Sequence, residues 1–179
     1  MITRFLLTLV VSLLLVNTAF AQRDHLTPQE VDLVKEAQVL DKRTDVFIRA
    51  AERRLLVING TAAAAANAKL LKKESERWGE LPAGSRAELI SDIARIVDEA
   101  ITNIDDVALK DERNPLIAKS LRKLAASVTS IMDQLKPLSE QAKGEAEIGS
   151  FEQLNENAKS IFEAVGKLPP EVEKKAKKN

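Results

Sequence analysis

Between Ser85 and Lys143 apolar side chains recur at a spacing that fits a pair of helices and little else. Leu89, Ile93, Ile96, Ala100, Asn103 and Val107 alternate in steps of four and three, and Ile90, Val97, Ile101, Ile104 and Ala108 widen that face. A stripe so broad needs more than one helical neighbour. The second stripe, Ile117, Leu121, Leu124, Val128, Ile131, Leu135 and Leu138, keeps the same alternation without interruption. Its average of about 3.5 residues suits bundle or coiled-coil packing. Ser85 and Glu88 form a capping box ahead of the first stripe, while Asn114 as N-cap and Pro115 at the first helical position open the second. The link from Lys110 to Pro115 is short enough to predict an antiparallel hairpin.

Upstream, Thr27, Pro28 and Glu30 combine an N-cap, a first-turn proline and a capping-box acid. The seam Leu33, Ala37, Leu40, Thr44, Phe47, Ala51, Leu55, Ile58 then predicts one helix, roughly 45 Å long at about 1.5 Å per residue. Lys35, Glu36, Lys42, Arg43, Arg49, Arg53 and Arg54 are assigned to the rest of that cylinder. Asn59-Gly60 should stop it, since both residues tolerate left-handed backbone. The alanine tract 61–67 lacks bulky side chains and is expected to be a mobile link or frayed turn. A charged helical segment follows from Ala68 to Trp78, and Trp78 to Gly84 turns the chain into the hairpin. Pro137 should kink or end the second arm. A fourth segment carries Ile148, Phe151, Leu154, Ala158, Ile161, Phe162, Val165 and Leu168 up to Pro169-Pro170. The expected fold is all-α, an antiparallel up-and-down bundle of four long helices with one short extra helix over 68–78.

Arg4, the apolar run Phe5 to Val16 and Ala19-Phe20-Ala21 follow the order of a secretory signal peptide, with cleavage expected after Ala21. The run is shorter than the roughly 20 residues a membrane span needs, so no span is expected after cleavage. Residues 22–170 then form one helical domain, and 171–179 a solvated Lys- and Glu-rich tail. A periplasmic or secreted location follows. With Arg4 removed, acidic side chains outnumber basic ones by one, so no nucleic-acid partner is expected. The chain has no cysteine, which removes thiol nucleophiles, zinc thiolates and covalent haem attachment. Tyrosine is absent and tryptophan occurs once, unlike sugar-binding or base-stacking surfaces.

The most suggestive chemistry is acidic. Asp92, Glu99 and Asp106 lie seven apart on one stripe of the first arm, with Asp98, Asp105, Asp111 and Glu112 nearby, and carboxylates so spaced are candidate ligands for a divalent cation. The alternative is a solvated or ion-paired face, with Arg43, Arg49, Arg53, Lys119 and Arg122 on neighbouring helices as partners. Asp105 and Asp106 approach a helix C-terminus, where the dipole opposes them and Arg113 or Lys110 is the nearest compensation. Asn103 and Thr44 interrupt apolar seams and are read as hydrogen-bonding across the core to fix register. His25, the sole histidine, is read as solvated. No Glu-x-x-His pair, Gly-x-Ser-x-Gly or phosphate-binding glycine loop is present. No cofactor and no catalytic residue is therefore expected.

Trp78-Gly79-Glu80-Leu81-Pro82, Ile104-Asp105-Asp106 and Asp111 to Leu116 resemble stretches of an uncharacterised group of exported bacterial helical proteins. That resemblance implies a fold and a compartment. Leu26-Thr27-Pro28-Gln29-Glu30 is similar to the Leu-Thr-x-x-Gln motif of periplasmic chaperones of the Spy and CpxP type, departing from it at Glu30 and lacking a second copy. Three functional expectations follow: a non-enzymatic protein acting by contact with a protein partner or as a homo-oligomer, a chaperone or stress adaptor with an exposed apolar groove, and a small-ligand or metal carrier using the acidic stripe.

Overall fold

The computed structural model describes residues 24–60 and 75–170, and every regular element among them is helical. In chain order these are α1 (Pro28–Glu36), α2 (Leu40–Ile58), α3 (Arg86–Lys110), α4 (Pro115–Ser139) and α5 (Glu145–Gly166), with a further helical turn at 75–78. The expected signal peptide at 1–21, the alanine tract at 61–67, the upstream part of the 68–78 segment and the tail at 171–179 lie outside the described residues.

Local signals set most helix ends. The Ser85 hydroxyl accepts from the Glu88 amide at 3.3 Å while Glu88 accepts from the Ser85 amide at 2.7 Å. Thr27 and Glu30 make the same reciprocal pair, and Asn114 Oδ1 caps the Leu116 amide at 3.0 Å. α2 stops at Asn59, followed by Gly60 at φ 76°, and Pro137 lies in the last turn of α4, which ends two residues later. Ser85→Ala removes one cap and is expected to lower unfolding free energy by about 1 kcal/mol. An unchanged urea midpoint for that variant would mean that solvent satisfies the first turn equally well.

The two hairpin stripes are buried much as their periodicity predicts, from Leu89 to Ile104 on α3 and from Leu121 to Leu135 on α4. Their neighbours differ from expectation. α2 and α5 each pack along both arms, whereas α3 and α4 touch one another over much less of their length. Arg43 Nη1 donates to Asn103 Oδ1 at 3.0 Å and Arg54 faces Asp92, so α2 runs against α3. Lys119–Asp41, Lys123–Asp45 and Asn59–Gln134 advance together along α2 and α4, which therefore run the same way. Arg86–Glu147 and the bond from Asn157 Nδ2 to the Ala94 carbonyl relate α3 and α5 similarly. Periodicity tells how much of a helix is covered, not by which element.

Two further expectations are corrected. The single helix drawn from Pro28 to Ile58 is broken at Ala37–Val39, and α1 folds back so that Glu30 reaches Arg53 and Arg54 on α2. On α5, Phe151, Leu154, Ala158 and Ile161 are buried, but Ile148 and Phe162 are exposed and Glu147 and Ser150 are buried in their place. Glu147 pairs with Arg86 on α3, which supplies the counter-charge for its burial.

Candidate functional site

The most unusual chemistry is a buried cluster of charge where α1, α2, α3 and the turn after Trp78 meet. Arg53 and Arg54, assigned by the sequence to the outer cylinder of α2, are each 1% exposed, and Glu30 is wholly buried. Ala50 and Ala51, one turn earlier, are small enough to admit this second layer of side chains, so the inward face of α2 is wider than its seam. Glu30 Oε1 accepts from Arg53 Nε at 3.1 Å and Arg54 Nη1 at 2.6 Å. Its other oxygen accepts from the Thr27 amide, so the capping acid of α1 is also the counter-ion of two guanidiniums.

Each arginine then extends the cluster. Arg53 Nη2 donates to the carbonyls of Trp78, Gly79 and Glu80 at 3.2, 3.2 and 2.6 Å, and its guanidinium carbon lies 5.7 Å from the Trp78 ring centroid. Gly79 has φ 70°, and a Cβ there would stand 3.0 Å from the Gln29 side chain, so the turn is glycine both by backbone and by space. Arg54 donates to the carbonyls of Ala50 and His25 at 2.8 and 2.7 Å. Its Nε makes no hydrogen bond and lies 3.9 Å from Asp92 Oδ2, a charge contact beyond hydrogen-bond reach. Two arginines facing two carboxylates leave the cluster electrically balanced, which is the condition for burying it at tolerable cost.

His25 belongs to the same junction and is not solvated. Its side chain is 17% exposed, with Nε2 2.7 Å from Glu99 Oε2 and Nδ1 3.6 Å from Asp24. The carboxylates proposed as a cation stripe are thus engaged separately: Asp92 is buried beside Arg54, Glu99 meets His25, and Asp106 is exposed towards the far end of α3. Successive members rise by about 10 Å along the axis. Among the described residues, no group of three His, Asp or Glu side chains is placed to hold a metal ion. Asp98, Asp105, Asp111 and Glu112 are exposed. Asn103 does link two helices through Arg43, whereas the Thr44 hydroxyl donates to Leu40 on its own helix at 2.9 Å and so does not bridge the core.

A second polar seam joins α2 to α4. Asp41, buried, accepts from Lys119 Nζ at 2.5 Å, and Lys123 Nζ lies 2.6 Å from Asp45. The hydrogen bond from Lys119 holds the Asp41 carboxyl below its ordinary range, with the charges of Lys119, Lys123 and Lys42 helping and burial opposing. The same bond raises Lys119. A depressed acid stabilises the fold above its unfolded pKa and loses that contribution as pH falls through its folded value; a raised amine behaves oppositely at the alkaline end. The stability difference between the native chain and Asp41→Asn is therefore expected to be level at neutral pH. It should shrink below about pH 4 and above about pH 10.5, as read from urea midpoints across pH. A difference that persisted at pH 2 would exclude the ion pair as its source.

Among the clefts on the described surface are three: ≈ 200 Å³ between α4 and α5 beside Met132, Phe151 and Leu154; ≈ 280 Å³ between α2 and α4 beside Leu55, Ser127 and Gln134; and ≈ 430 Å³ beside Leu33, Val46 and Trp78. None of them is lined by Glu30, Arg53, Arg54 or Asp92. No described helix is long and apolar enough to cross a membrane. Comparison with protein-family models, with curated proteins and with solved structures finds no match to this chain.

Proposed function

We propose that this chain is an exported, non-enzymatic helical protein of the periplasm or envelope that acts through contact with another protein, its four long helices forming an up-and-down bundle. One observation carries this reading. The most deeply buried charges are bound to one another and to main-chain carbonyls that fasten α1 and the turn after Trp78, so they serve the scaffold and face none of the three clefts. Two of the stretches resembling exported helical proteins fall where such a scaffold needs them: 78–82 forms the turn gripped by Arg53, and 111–116 joins α3 to α4.

The chaperone reading has less support, because the large apolar residues exposed among the described ones are Val39 in the α1–α2 link, Leu109 on α3, and Ile148 and Phe162 fourteen residues apart on α5, and none of the three clefts is lined by any of them. The carrier reading has less support because Asp92, Glu99 and Asp106 do not converge. Crosslinking in intact envelopes followed by affinity capture is expected to recover a chain beginning at Gln22 in a complex of fixed stoichiometry. Recovery of the uncleaved chain from the cytoplasm, or of uncomplexed protein alone, would overturn the proposal.

A further inference from the structure

We propose that two copies of this chain exchange α1: the link Ala37–Val39 straightens, α1 and α2 become one continuous helix, and each copy's residues 24–36 occupy the site that the other has vacated. The inference requires no assumption about where the protein works.

Locally, the bend between α1 and α2 is held by side-chain bonds from Gln38 Nε2 to the Lys35 carbonyl and from Arg43 Nε to the Ala37 carbonyl, not by the backbone preference of its residues. Residues 29–59 contain neither glycine nor proline, and the seam Leu33, Ala37, Leu40, Thr44 passes through the link in unbroken helical phase. α1, α3 and α4 each begin with a side-chain cap, whereas α2 begins at Val39 with none. Valine is among the poorest N-caps, and here it is 50% exposed. The carbonyl of Ala37 is satisfied in the bent form by Arg43 Nε at 2.9 Å; in a straight helix it would receive the amide of Asp41. The backbone preferences of the linking residues thus do not require the bend, which these side-chain bonds and the docking of α1 maintain.

That docking, in turn, does not depend on α1 belonging to the same chain. The polar contacts that seat it lie beyond the link, with Glu30 on Arg53 and Arg54, the His25 carbonyl on Arg54 and the His25 ring on Glu99, and Gln29 packs against Gly79 while Leu26 and Leu33 are buried. A second copy supplies the same atoms. Straightening carries residues 24–36 roughly 20 Å beyond the start of α2 at about 1.5 Å per residue, clear of their own site and presenting Leu33 and Ala37 for cover. Exchange of an identical element preserves the contacts that seat α1 and replaces the bonds of the bend by those of a helical link, the condition under which swapped dimers form.

The test uses the mature chain, refolded at rising concentration and sized by light scattering. Because the native sequence has no cysteine, Gln29→Cys and Glu80→Cys can be carried on separate copies, mixed, and joined with a short bis-maleimide. The expected result is a dimer in which the two variants are crosslinked to one another, and a monomer in which they are not. Glycine is about fivefold poorer than alanine inside a helix, so Ala37→Gly, acting at two links, is expected to weaken dimerisation about 25-fold while leaving the helical content of the monomer unchanged. A chain that stays monomeric at every concentration, a dimer without the cross-copy link, or a dimer indifferent to Ala37→Gly would each overturn the proposal.

Discussion

Glu30→Ala is expected to destabilise the fold by about 3–5 kcal/mol, a large part of the stability of a domain of this size. The loss has little to do with the volume removed. Two guanidiniums, each 1% exposed, would remain in the interior without the carboxylate they share, and a buried charge that loses its counter-ion is far more costly than an absent pair. The alanine also removes the side chain that accepts from the Thr27 amide, so the first turn of α1 loosens at the same time. Urea denaturation of the native chain and the variant measures the difference directly. A companion variant makes the cause explicit. Replacing Glu30, Arg53 and Arg54 together by leucine or methionine, with Asp92→Asn so that this buried carboxylate is not left without Arg54, removes the cluster's charge and should cost less than Glu30→Ala even though more bonds are lost. If the combined variant is the weaker of the two, the arginines act chiefly through their bonds to Trp78, Gly79, Glu80 and His25.

Phe47→Ala is expected to cost about 3–5 kcal/mol by another route. Phe47 is 1% exposed at the middle of α2 and packs among Ile96, Val97 and Ala100 of α3 and Leu124, Val128 and Ile131 of α4. It is therefore the side chain that ties three helices at one level. Truncation leaves a cavity whose walls belong to different elements and cannot close without moving a whole helix, which places the cost towards the upper end of its range. Phe47→Leu, which keeps most of the volume, should retain most of the stability. Equal losses for the two would mean that ring shape, and not filled space, is what the site requires.

How far these features could be read in the sequence depended on how local their causes are. The caps at Thr27, Ser85 and Asn114, the stop at Asn59-Gly60 and the end of α4 near Pro137 each involve residues within four positions, and all are where the residue types place them. The stripes of α3 and α4 were legible for the same reason. The break at Ala37–Val39 was not, because it follows from a carboxylate pairing with arginines 23 and 24 residues away. Arg53 and Arg54 looked solvent-facing because charge is the usual mark of an outer surface; the signal against that lay in Ala50 and Ala51 one turn earlier. His25 was misplaced likewise, since its partners Glu99 and Arg54 come from two other helices. For the candidate site, residue spacing offered a cation stripe, whereas Asp92 and Glu99 meet different partners and Asp106 is exposed.

The limited contact between α3 and α4 bears on how the molecule assembles. A fragment holding residues 85–143 alone would bury little, because the apolar faces of its two arms are covered chiefly by α2, which comes before it, and α5, which comes after. Polar contacts between the long helices join residues 38 to 78 positions apart, and closing such loops delays the reward of contact until much of the polypeptide is present. Acquisition of structure should accordingly be all-or-none, with no persistent hairpin stage, because α3 and α4 are covered only once both α2 and α5 are in place.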